Sequence, residues 1–399
     1  MTPPRATIIV VHHRGKERLL RTLDEVCRQA SAERAEVVVV DNASREGADR
    51  EIARRFPAVR ALRQEENTGF ARACSTGAEA SASELLIFFN DDAVPEPGWL
   101  AAFLEAASSL PADVRTIAGR LTDSSGKRTD FIDGFLVFDG HAFSDRAGGP
   151  LPDDLGGAPG DERLFACGGN MMVRRDEFLS SGGFDPWYFA YLEDVDFGWR
   201  QWILGRRVVY EPRAAARHEG GATGEALGVF HRGYLIEKNA WATAYKNFDD
   251  EHLRALWPAA ATAFLSRLDS MVRRDGGSAA LDEDPYRVSR RRRWSERMAR
   301  AFGVSTRSAA LRIGDPLAIA QLRALRALFS GADELGRRRA AVQSGRVRSD
   351  REIFAKFPLR IVPTYPGDEI FASPFFAPFL AGAPDLVPAT LDEILPGRR

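Results

Sequence analysis

The chain has 399 residues, a formal net charge of −1 and 44% hydrophobic residues, and it contains 25 Phe. These values exclude a disordered or fibrous chain and suit one large α/β unit with an appendage, or two domains. No stretch approaches the ~18 consecutive apolar residues of a membrane span. The three cysteines (Cys27, Cys74 and Cys167) are too few and too scattered for a disulfide framework or a structural zinc site. With no signal-peptide pattern at the start, the sequence predicts a soluble, cytoplasmic protein.

Short apolar runs alternate with helical patterns over about the first 245 residues. Strands are predicted at Ala6–Val11, Val37–Val40, Ala58–Leu62 and Leu85–Phe89, and a helix of small residues at Thr68–Ala80. Strands that alternate with helices predict a doubly wound α/β sheet, whose ligand site lies at the carboxyl ends of the strands.

The pattern changes in the second half of the chain. The segment Asp123–Gly160, rich in Gly, Asp and Pro, predicts a mobile loop or an excursion near the site, with one short strand at Phe135–Phe138. Beyond it regular structure is predicted to return at Phe165–Val173, followed by helices over about Asp194–Leu204, His252–Leu268 and Pro316–Phe329 and an extended Pro/Phe-rich tail from Phe357. The C-terminal region is therefore predicted to be mainly helical.

Acidic residues follow the fourth predicted strand. Two carboxylates, Asp91 and Asp92, project from a strand end there, which suits a hard cation such as Mg²⁺ or Mn²⁺. Asp after a strand is also a common turn former, so this motif alone does not decide the chemistry.

Two glycine-containing segments add context. The start of the predicted Thr68–Ala80 helix carries Gly69 and Arg72, and a helix N-terminus with a nearby Arg suits a diphosphate. Gly168, Gly169 and Asn170 precede a strand, where bare backbone lets a ligand approach or simply forms a bulge.

Carboxylates and aromatic residues occur together at the start of a predicted helix. Glu193, Asp194 and Asp196 are favoured there by the helix dipole, which by itself explains one or two of them. It does not explain the adjacent Trp187, Tyr188 and Tyr191, which are candidate stacking platforms for sugar rings. His218 follows a further strand, and a lone histidine is more often structural than a ligand.

Taken together, these segments resemble the family 2 glycosyltransferases, inverting enzymes of the GT-A type fold, and in particular the rhamnosyltransferase-like members. The resemblance covers about Thr7 to Tyr245. It is carried by TIIVVHHR in the first strand, DNAS at 41–44, NTGFARA at 67–73, NDDA at 90–93, GGNMMVRR at 168–175, Glu193-Asp194 and His218. It implies a GT-A type catalytic domain over residues 1–245 and a helical, Arg-rich C-terminal region over residues 246–399.

The resemblance also implies roles for individual residues. Asp194 is the expected catalytic base, with Glu193 orienting the acceptor or serving as the alternative base. A divalent ion, Mn²⁺ or Mg²⁺, is expected on Asp92 and His218. The expected contacts to the nucleotide-sugar donor are Val11, His12, Asp41, Asn67, Gly69, Arg72, Asn90, Asp91, Gly169 and Asn170, and the expected acceptor contacts are Trp187, Tyr188 and Tyr191. The implied reaction is inverting transfer of a sugar from a nucleoside-diphosphate donor to a hydroxyl of a glycan or lipid-linked saccharide, a step of polysaccharide biosynthesis.

A basic region follows the matched part of the chain. Between Arg287 and Arg351 the sequence has seventeen arginines, no lysine and five acidic residues. Such a region suits an anionic membrane surface, with peripheral contact at the inner face of the cell membrane. A solvated basic face, helices that pack back on the catalytic domain, and a homodimer are the alternatives.

Two other functions compete with sugar transfer. A nucleotidyltransferase also uses paired acids on an α/β sheet, but no Gly-rich signature with Lys and Arg follows the first strand, where only Gly15 occurs. A non-catalytic protein that binds nucleotide sugars or nucleic acid is the second alternative. Nucleic acid is not expected as a partner, because the basic region lacks regularly interleaved aromatic residues.

Overall fold

The computed structural model describes residues 4–220, 222–273, 315–383 and 386–394. Its strands are β1 (Thr7–His12), β2 (Glu36–Asp41), β3 (Arg60–Arg63), β4 (Leu85–Asn90), β5 (Ala93–Pro95), β6 (Val114–Asp123), β7 (Thr129–Phe131), β8 (Gly134–Leu136), β9 (Ala142–Ser144), β10 (Asn170–Arg174), β11 (Arg207–His218), β12 (Leu359–Ile361) and β13 (Leu386–Pro388). Nine of them form one sheet in the order β3-β2-β1-β4-β10-β6-β11-β5, with β7 paired to β6. The strands β3, β2, β1 and β4 are parallel, whereas β10 is antiparallel to both neighbours. The predicted mixed α/β sheet is confirmed.

The helices are α1 (Lys16–Glu33), α2 (Ala48–Arg55), α3 (Phe70–Ala80), α4 (Trp99–Ser109), α5 (Arg175–Ser180), α6 (Glu193–Ile203), α7 (Ala222–Asn247, interrupted at Gly228), α8 (Asp250–Val272), α9 (Pro316–Ser330), α10 (Ala332–Ser344), α11 (Asp350–Phe354), α12 (Ala377–Leu380) and α13 (Leu391–Ile394). The predicted helices at 252–268 and 316–329 correspond to α8 and α9. The long helix α7 was not recognised from the sequence, because its apolar residues mix with polar residues that are themselves buried.

The buried apolar runs of the central strands determine where the polar strand ends lie. The side chains of Ile8–Val10, Val37–Val40 and Leu86–Phe89 are at most 5% exposed, as expected for parallel strands covered on both faces. The register pairs Val11 with both Val40 and Asn90, so the carboxyl ends of β1, β2 and β4 lie side by side. The polar residues that end these strands therefore meet at one edge of the sheet.

The segment 123–160, predicted as a mobile loop or an excursion, forms a packed excursion. Strands β8 and β9 make a hairpin, and Phe135, Val137 and Phe138 are buried. The ring of Phe138 packs against Phe371 and Phe376 of the C-terminal tail. The sequence left the two alternatives open because the residues that bury Phe138 are more than 200 positions away.

The C-terminal residues pack on the sheet domain through charged as well as apolar contacts. In α8 the buried Arg267 binds Asp139 at 2.7 Å and Asp368 at 2.6 Å. Helices α9 and α10 lie against α7. Among the described residues, no helix is both long enough and apolar enough to cross a membrane.

Within the described residues 315–351, several arginines of the basic region are engaged by other parts of the chain. The run Arg290–Arg293 lies outside the described residues. In the part that is described, intramolecular ion pairs or hydrogen bonds engage Arg338, Arg339, Arg346, Arg348 and Arg351. The described helices of this region therefore pack back on the rest of the chain, one of the outcomes considered from the sequence.

Candidate active site

A histidine held between two carboxylates lies at the end of β11. The side chain of His218 places Nε2 2.9 Å from Oδ1 of Asp92 and Nδ1 2.6 Å from Oδ2 of Asp130. The antiparallel pairing of β11 with β5, in which His218 faces Ala93, brings this histidine beside the NDDA turn. The structure thus brings together Asp92 and His218, which are 126 residues apart in the sequence.

The protonation of this group follows from its neighbours. Burial lowers the pKa of His218, but the hydrogen bonds to Asp130 and Asp92 outweigh it and raise that pKa to about 10. Burial raises the pKa of Asp92, yet the hydrogen bond to His218 and its charge bring the net shift below the usual value. A second carboxylate on Nδ1 fixes the ring orientation and directs Nε2 toward Asp92, as is common around metal-binding histidines.

The neighbouring carboxylate has a different partner. Oδ2 of Asp91 lies 2.7 Å from Nδ1 of the buried His12 at the end of β1. Burial raises the pKa of Asp91, and the contact with His12 partly offsets this effect. The Thr22 hydroxyl donates to the carbonyls of Asp91 and Ala93, so α1 fixes the turn.

The DNAS and NTG segments are joined by amide side chains. Asp41, at the end of β2 beside His12, is buried and accepts the N–H of Ser44 at 2.7 Å. Asn42 donates from Nδ2 to Oδ1 of Asn67 at 2.9 Å, and Oδ1 of Asn67 also accepts the N–H of Gly69 at 3.0 Å. Arg72, one turn into α3, is exposed. The predicted nucleotide contacts of these segments thus lie on one connected surface with Val11, which is half-buried.

The turn at Gly168 and Gly169 separates the two carboxylate pairs of the site. A Cβ at Gly169 would collide with the side chain of Asn90, whose Nδ2 lies 3.2 Å from Nε2 of His218. On the other side, the N–H of Gly168 donates to Oδ2 of Asp194 at 2.8 Å. One tight turn therefore places Asp194 close to the Asp92–His218 pair.

Asp194 and Glu193 differ in how their charge is stabilised. Burial raises the pKa of Asp194, while the N–H groups of Gly168 and Val195 stabilise its carboxylate and oppose that rise. Burial and the neighbouring Asp194 raise the pKa of Glu193 well above its usual value. Oε2 of Glu193 is buried without a hydrogen-bond partner in the described part of the chain. Asp194 is thus the better stabilised anion of the two.

The loop that leads into α6 has an unusual backbone. Phe189, Tyr191 and Leu192 have φ values of 65°, 69° and 66°, a region that costs a non-glycine residue about 1–3 kcal/mol. The carbonyl of Phe189 accepts the N–H of Ala71 in α3 at 3.2 Å. A Cβ at Gly69 would collide with this same carbonyl, which explains the glycine. The strained loop therefore joins the start of α3 to the carboxylates of α6.

Burial changes the expected role of two predicted residues. Tyr188 is fully buried, with its hydroxyl 2.7 Å from Oγ1 of Thr243, so no face of its ring is open to a sugar. Asn170 is also fully buried. Its Oδ1 accepts a hydrogen bond from Trp99 Nε1, and its Nδ2 donates to the carbonyls of Arg120 and Ala214. Both expectations are corrected: these side chains support the core. Trp187 and Tyr191, by contrast, are half-buried.

Two residues near the acids were not singled out from the sequence. Asp130 lies in the segment 123–160, where no motif marks it, and only the folded hairpin brings it to His218. Arg18 follows the glycine of HHRGKER in the first turn of α1, and its charge lowers the pKa of both Asp91 and Asp92. A basic residue soon after a first strand is the one signal that pointed to Arg18.

A second group of potential ligands lies away from this edge. Side-chain atoms of Asp249, His252 and Asp350 lie within 4.8 Å of one another. Asp249 caps α8 by accepting the N–H of His252, and Asp350 accepts from Trp199 Nε1 and from the N–H of Asp249. These hydrogen bonds account for the cluster as a structural junction.

The mixed sheet, with paired carboxylates and a histidine at its strand ends, has the GT-A type fold. A structure of GalNAc-T7 with UDP, GalNAc and Mn²⁺ has the same fold, with a TM-score of 0.52 and 18% identity, covering 65% of this chain and 51% of that one. Residues 7–178 match the model of glycosyl transferase family 2.

Two curated relatives extend over more of the chain. The N-acetylglucosaminyl-diphospho-decaprenol L-rhamnosyltransferase of Mycobacterium tuberculosis is 30% identical over 209 residues, 46% of this chain and 66% of that protein. The O-antigen biosynthesis protein RfbC of Myxococcus xanthus is 25% identical over 240 residues, 58% of this chain and 19% of that protein. The chain thus spans just under two thirds of the first relative and about a fifth of the second.

Proposed function

We propose that this protein transfers a sugar from a nucleoside-diphosphate donor to an acceptor hydroxyl with inversion at the anomeric carbon. The observation that carries the proposal is the Gly168–Gly169 turn, which binds the carboxylate of Asp194 on one side and packs on Asn90, a neighbour of His218, on the other. A nucleotidyltransferase needs a cation site but no nearby general base, so this second carboxylate favours transfer to a hydroxyl.

The roles of the two carboxylate groups follow from their surroundings. Asp194 takes the proton of the acceptor hydroxyl as its oxygen forms the new bond to the anomeric carbon. The bond from that carbon to the diphosphate breaks on the opposite face, and the nucleoside diphosphate leaves. Burial raises the pKa of Asp194 and so makes it a stronger base, while the N–H of Gly168 keeps it oriented.

The donor set at Asp92 and His218 fits a divalent ion. A carboxylate oxygen and an imidazole nitrogen 2.9 Å apart suit Mn²⁺, and Mg²⁺ is accepted through the oxygen and water ligands. Ligation requires the neutral imidazole, so binding of the ion would release the proton that the raised pKa of His218 keeps on the ring. Such an ion supplies charge stabilisation to the departing diphosphate. Asp130 on the other ring nitrogen is the support that such a ligand requires.

The nucleotide-sugar donor and the acceptor are proposed to bind on opposite sides of the Gly168–Gly169 turn. The strand ends and the turn that carry Val11, His12, Asp41, Asn67 and Gly69 are proposed as the nucleotide site, with Arg72, Asn90 and Asp91 nearer the diphosphate. Trp187 and Tyr191 are proposed for the acceptor, with Glu193 orienting it. The rhamnosyltransferase relative suggests an acceptor sugar linked through diphosphate to a polyprenol.

Such an acceptor would be reached at an anionic membrane surface through the Arg290–Arg293 run. Sedimentation with phosphatidylglycerol vesicles tests this part. Replacing these four arginines with glutamine is expected to abolish co-sedimentation, and equal binding by both proteins would refute the contact. The same measurement on phosphatidylcholine vesicles controls for binding without anionic charge.

The central proposal is tested by calorimetry with UDP, dTDP and GDP in the presence of Mn²⁺, Mg²⁺ or EDTA. Binding of one nucleoside diphosphate is expected to need the metal and to be lost in Asp92→Ala. Asp24→Ala, which removes an exposed carboxylate from α1, is the matched control. Metal-independent binding, or equal binding by the Asp92 variant, would refute the assignment of the metal.

A further inference from the structure

The loop from Tyr188 to Leu192, here the base loop, is held by side chains of one helix. Its backbone runs through three left-handed residues before it reaches Glu193 and Asp194. Strained backbone of this kind persists only where its surroundings fix it. No side chain caps the N-terminus of α6, where Leu192 has φ 66°. The fixing contacts must therefore come from outside the loop.

Asn239 in α7 supplies these contacts. Its Nδ2 donates to the carbonyls of Tyr188 at 3.0 Å, Ala190 at 2.9 Å and Tyr191 at 2.7 Å. An amide nitrogen has two hydrogens, so three carbonyls share them on one buried donor. Its orientation is determined, because a flipped amide would turn Oδ1 toward three carbonyl oxygens.

Neighbouring residues of α7 hold the parts of the chain on either side. Nζ of Lys238 donates to the carbonyl of Trp187 at 2.6 Å, and Oγ1 of Thr243 lies 2.7 Å from the hydroxyl of Tyr188. Lys246 binds Asp185 at 2.6 Å and Asp196 at 2.8 Å. Of these residues, only Asn239 reaches the carbonyls of Ala190 and Tyr191, in the strained part of the loop.

We propose that Asn239 is a positioning residue for the base: it fixes the base loop so that α6 presents Asp194 to the Gly168 turn. This inference rests on the proposed role of Asp194. The structural link is short, because Tyr191 lies three residues before Asp194 and its carbonyl is the closest of the three acceptors. Asn239 itself does not touch the carboxylate and does not act as a catalytic residue.

The expected consequence is a defect in turnover. Without the amide donor, the base loop relaxes toward ordinary backbone angles and Asp194 loses its alignment, so kcat is expected to fall by about 10–100-fold. The Asp92–His218 pair and the ends of β1 and β2 do not contact Asn239. Metal-dependent binding of the nucleoside diphosphate is therefore expected to keep its Kd.

Asn239→Ala tests this inference, with Asn247→Ala as the matched control. Asn247 is also a fully buried asparagine of α7, but its Nδ2 donates to Oδ1 of Asp196 at 2.9 Å and not to the base loop. Both variants lose a buried hydrogen bond and are expected to have lower melting temperatures. Only the Asn239 variant is expected to lose kcat while its nucleotide Kd stays unchanged.

Two readouts keep the outcomes distinct. The first is kcat for release of nucleoside diphosphate from the donor that calorimetry selects, with diphospho-polyprenol-linked N-acetylglucosamine as acceptor. The second is amide hydrogen exchange of the base loop, residues 188–192, which requires no turnover and is expected to speed up only in Asn239→Ala. Asn239→Ser, which keeps one donor group, gives an intermediate result if the alanine variant does not fold.

A kcat within twofold of wild type in a folded Asn239 variant would overturn the positioning role. Equal exchange rates in the Asn239 and Asn247 variants would show that Asn239 does not hold the base loop. If the wild-type protein itself transfers no sugar, the proposed function fails. The exchange measurement still tests whether the hydrogen bonds of Asn239 hold the base loop.

Discussion

The two carboxylate pairs of the site lie on either side of one glycine turn but in opposite electrostatic surroundings. Asp91 and Asp92 each have an imidazole partner, His12 at 2.7 Å and His218 at 2.9 Å. Asp194 is instead held by backbone N–H groups, and burial raises the pKa of both Glu193 and Asp194. The anion of Asp92 is thus stabilised by a cationic imidazole, whereas burial favours the protonated forms of Glu193 and Asp194.

The difference follows from how each pair is supported. The first pair lies on strand ends, where the sheet register brings neighbouring strands and their histidines alongside. The second pair starts a helix, where the peptide dipole and free N–H groups stabilise an anion without neutralising it. Two groups of the same residue type thus acquire different chemistry from the element that carries them.

Of the substitutions that test this difference between the two pairs, Asp194→Asn is expected to have the largest effect on turnover. The amide cannot accept the acceptor's proton, so turnover should fall by about 10²–10⁴-fold while metal-dependent nucleotide binding is retained. Steady-state rates and calorimetry on the same preparation measure the two effects. Asp176→Asn, an exposed acid in the first turn of α5, is the control, and near-native turnover in Asp194→Asn would refute its role as the base.

Arg267→Met should give the largest loss of stability, because it leaves the buried Asp368 without its cation and leaves Asp139 with His141 alone. Breaking a buried ion pair in this way costs about 3–5 kcal/mol of unfolding free energy. Urea denaturation measures the loss. The exposed pair of Arg273 with Asp269 offers a control, since Arg273→Met should change little.

The pH dependence of stability should report His141. It lies 3.0 Å from Asp139 and 3.6 Å from Glu237, and Arg267 binds the same Asp139. Burial lowers its pKa, but the two carboxylates outweigh this and raise it to about 9 from its usual 6.5. Between these pH values the folded chain holds a proton that the unfolded chain releases. Stability from this group is thus complete below pH 6.5 and is lost as pH rises through 9.

Urea denaturation of wild type and His141→Gln at several pH values isolates this contribution, because the other titrating groups are common to both. The stability advantage of the wild type should shrink by up to about 1.4 kcal/mol per pH unit between pH 6.5 and 9. A difference that stays constant over this range would show that His141 does not hold the proton.

Glu193→Gln should have the smallest effect and separates the two adjacent acids. Burial and the neighbouring Asp194 raise the pKa of Glu193 well above its usual value and so favour its protonated form, which glutamine resembles. Turnover close to wild type and equal or higher stability are expected. A large loss of turnover would instead assign the proton transfer to Glu193.

The sequence predicted those features that depend on neighbours along the chain. Apolar runs such as Leu85–Phe89 predicted the buried strands, and the acids directly after them predicted the edge at which Asp92 lies. Helical spacing predicted α8 and α9 within a few residues of their ends. Each of these signals is local, because the periodicity of a strand or helix depends on residues that are close together in the sequence.

Tertiary structure decided which of the polar residues are free to act. Tyr188 and Asn170 look like ligand contacts in the sequence, yet the core surrounds them and uses their polar atoms. Asp130 carries no motif, yet the folded 123–160 excursion delivers it to His218. The sequence alone determined the sheet and the acidic strand ends, because residue pattern controls local structure. Only the fold decided protonation and support, because burial and partners come from residues that are distant in the chain.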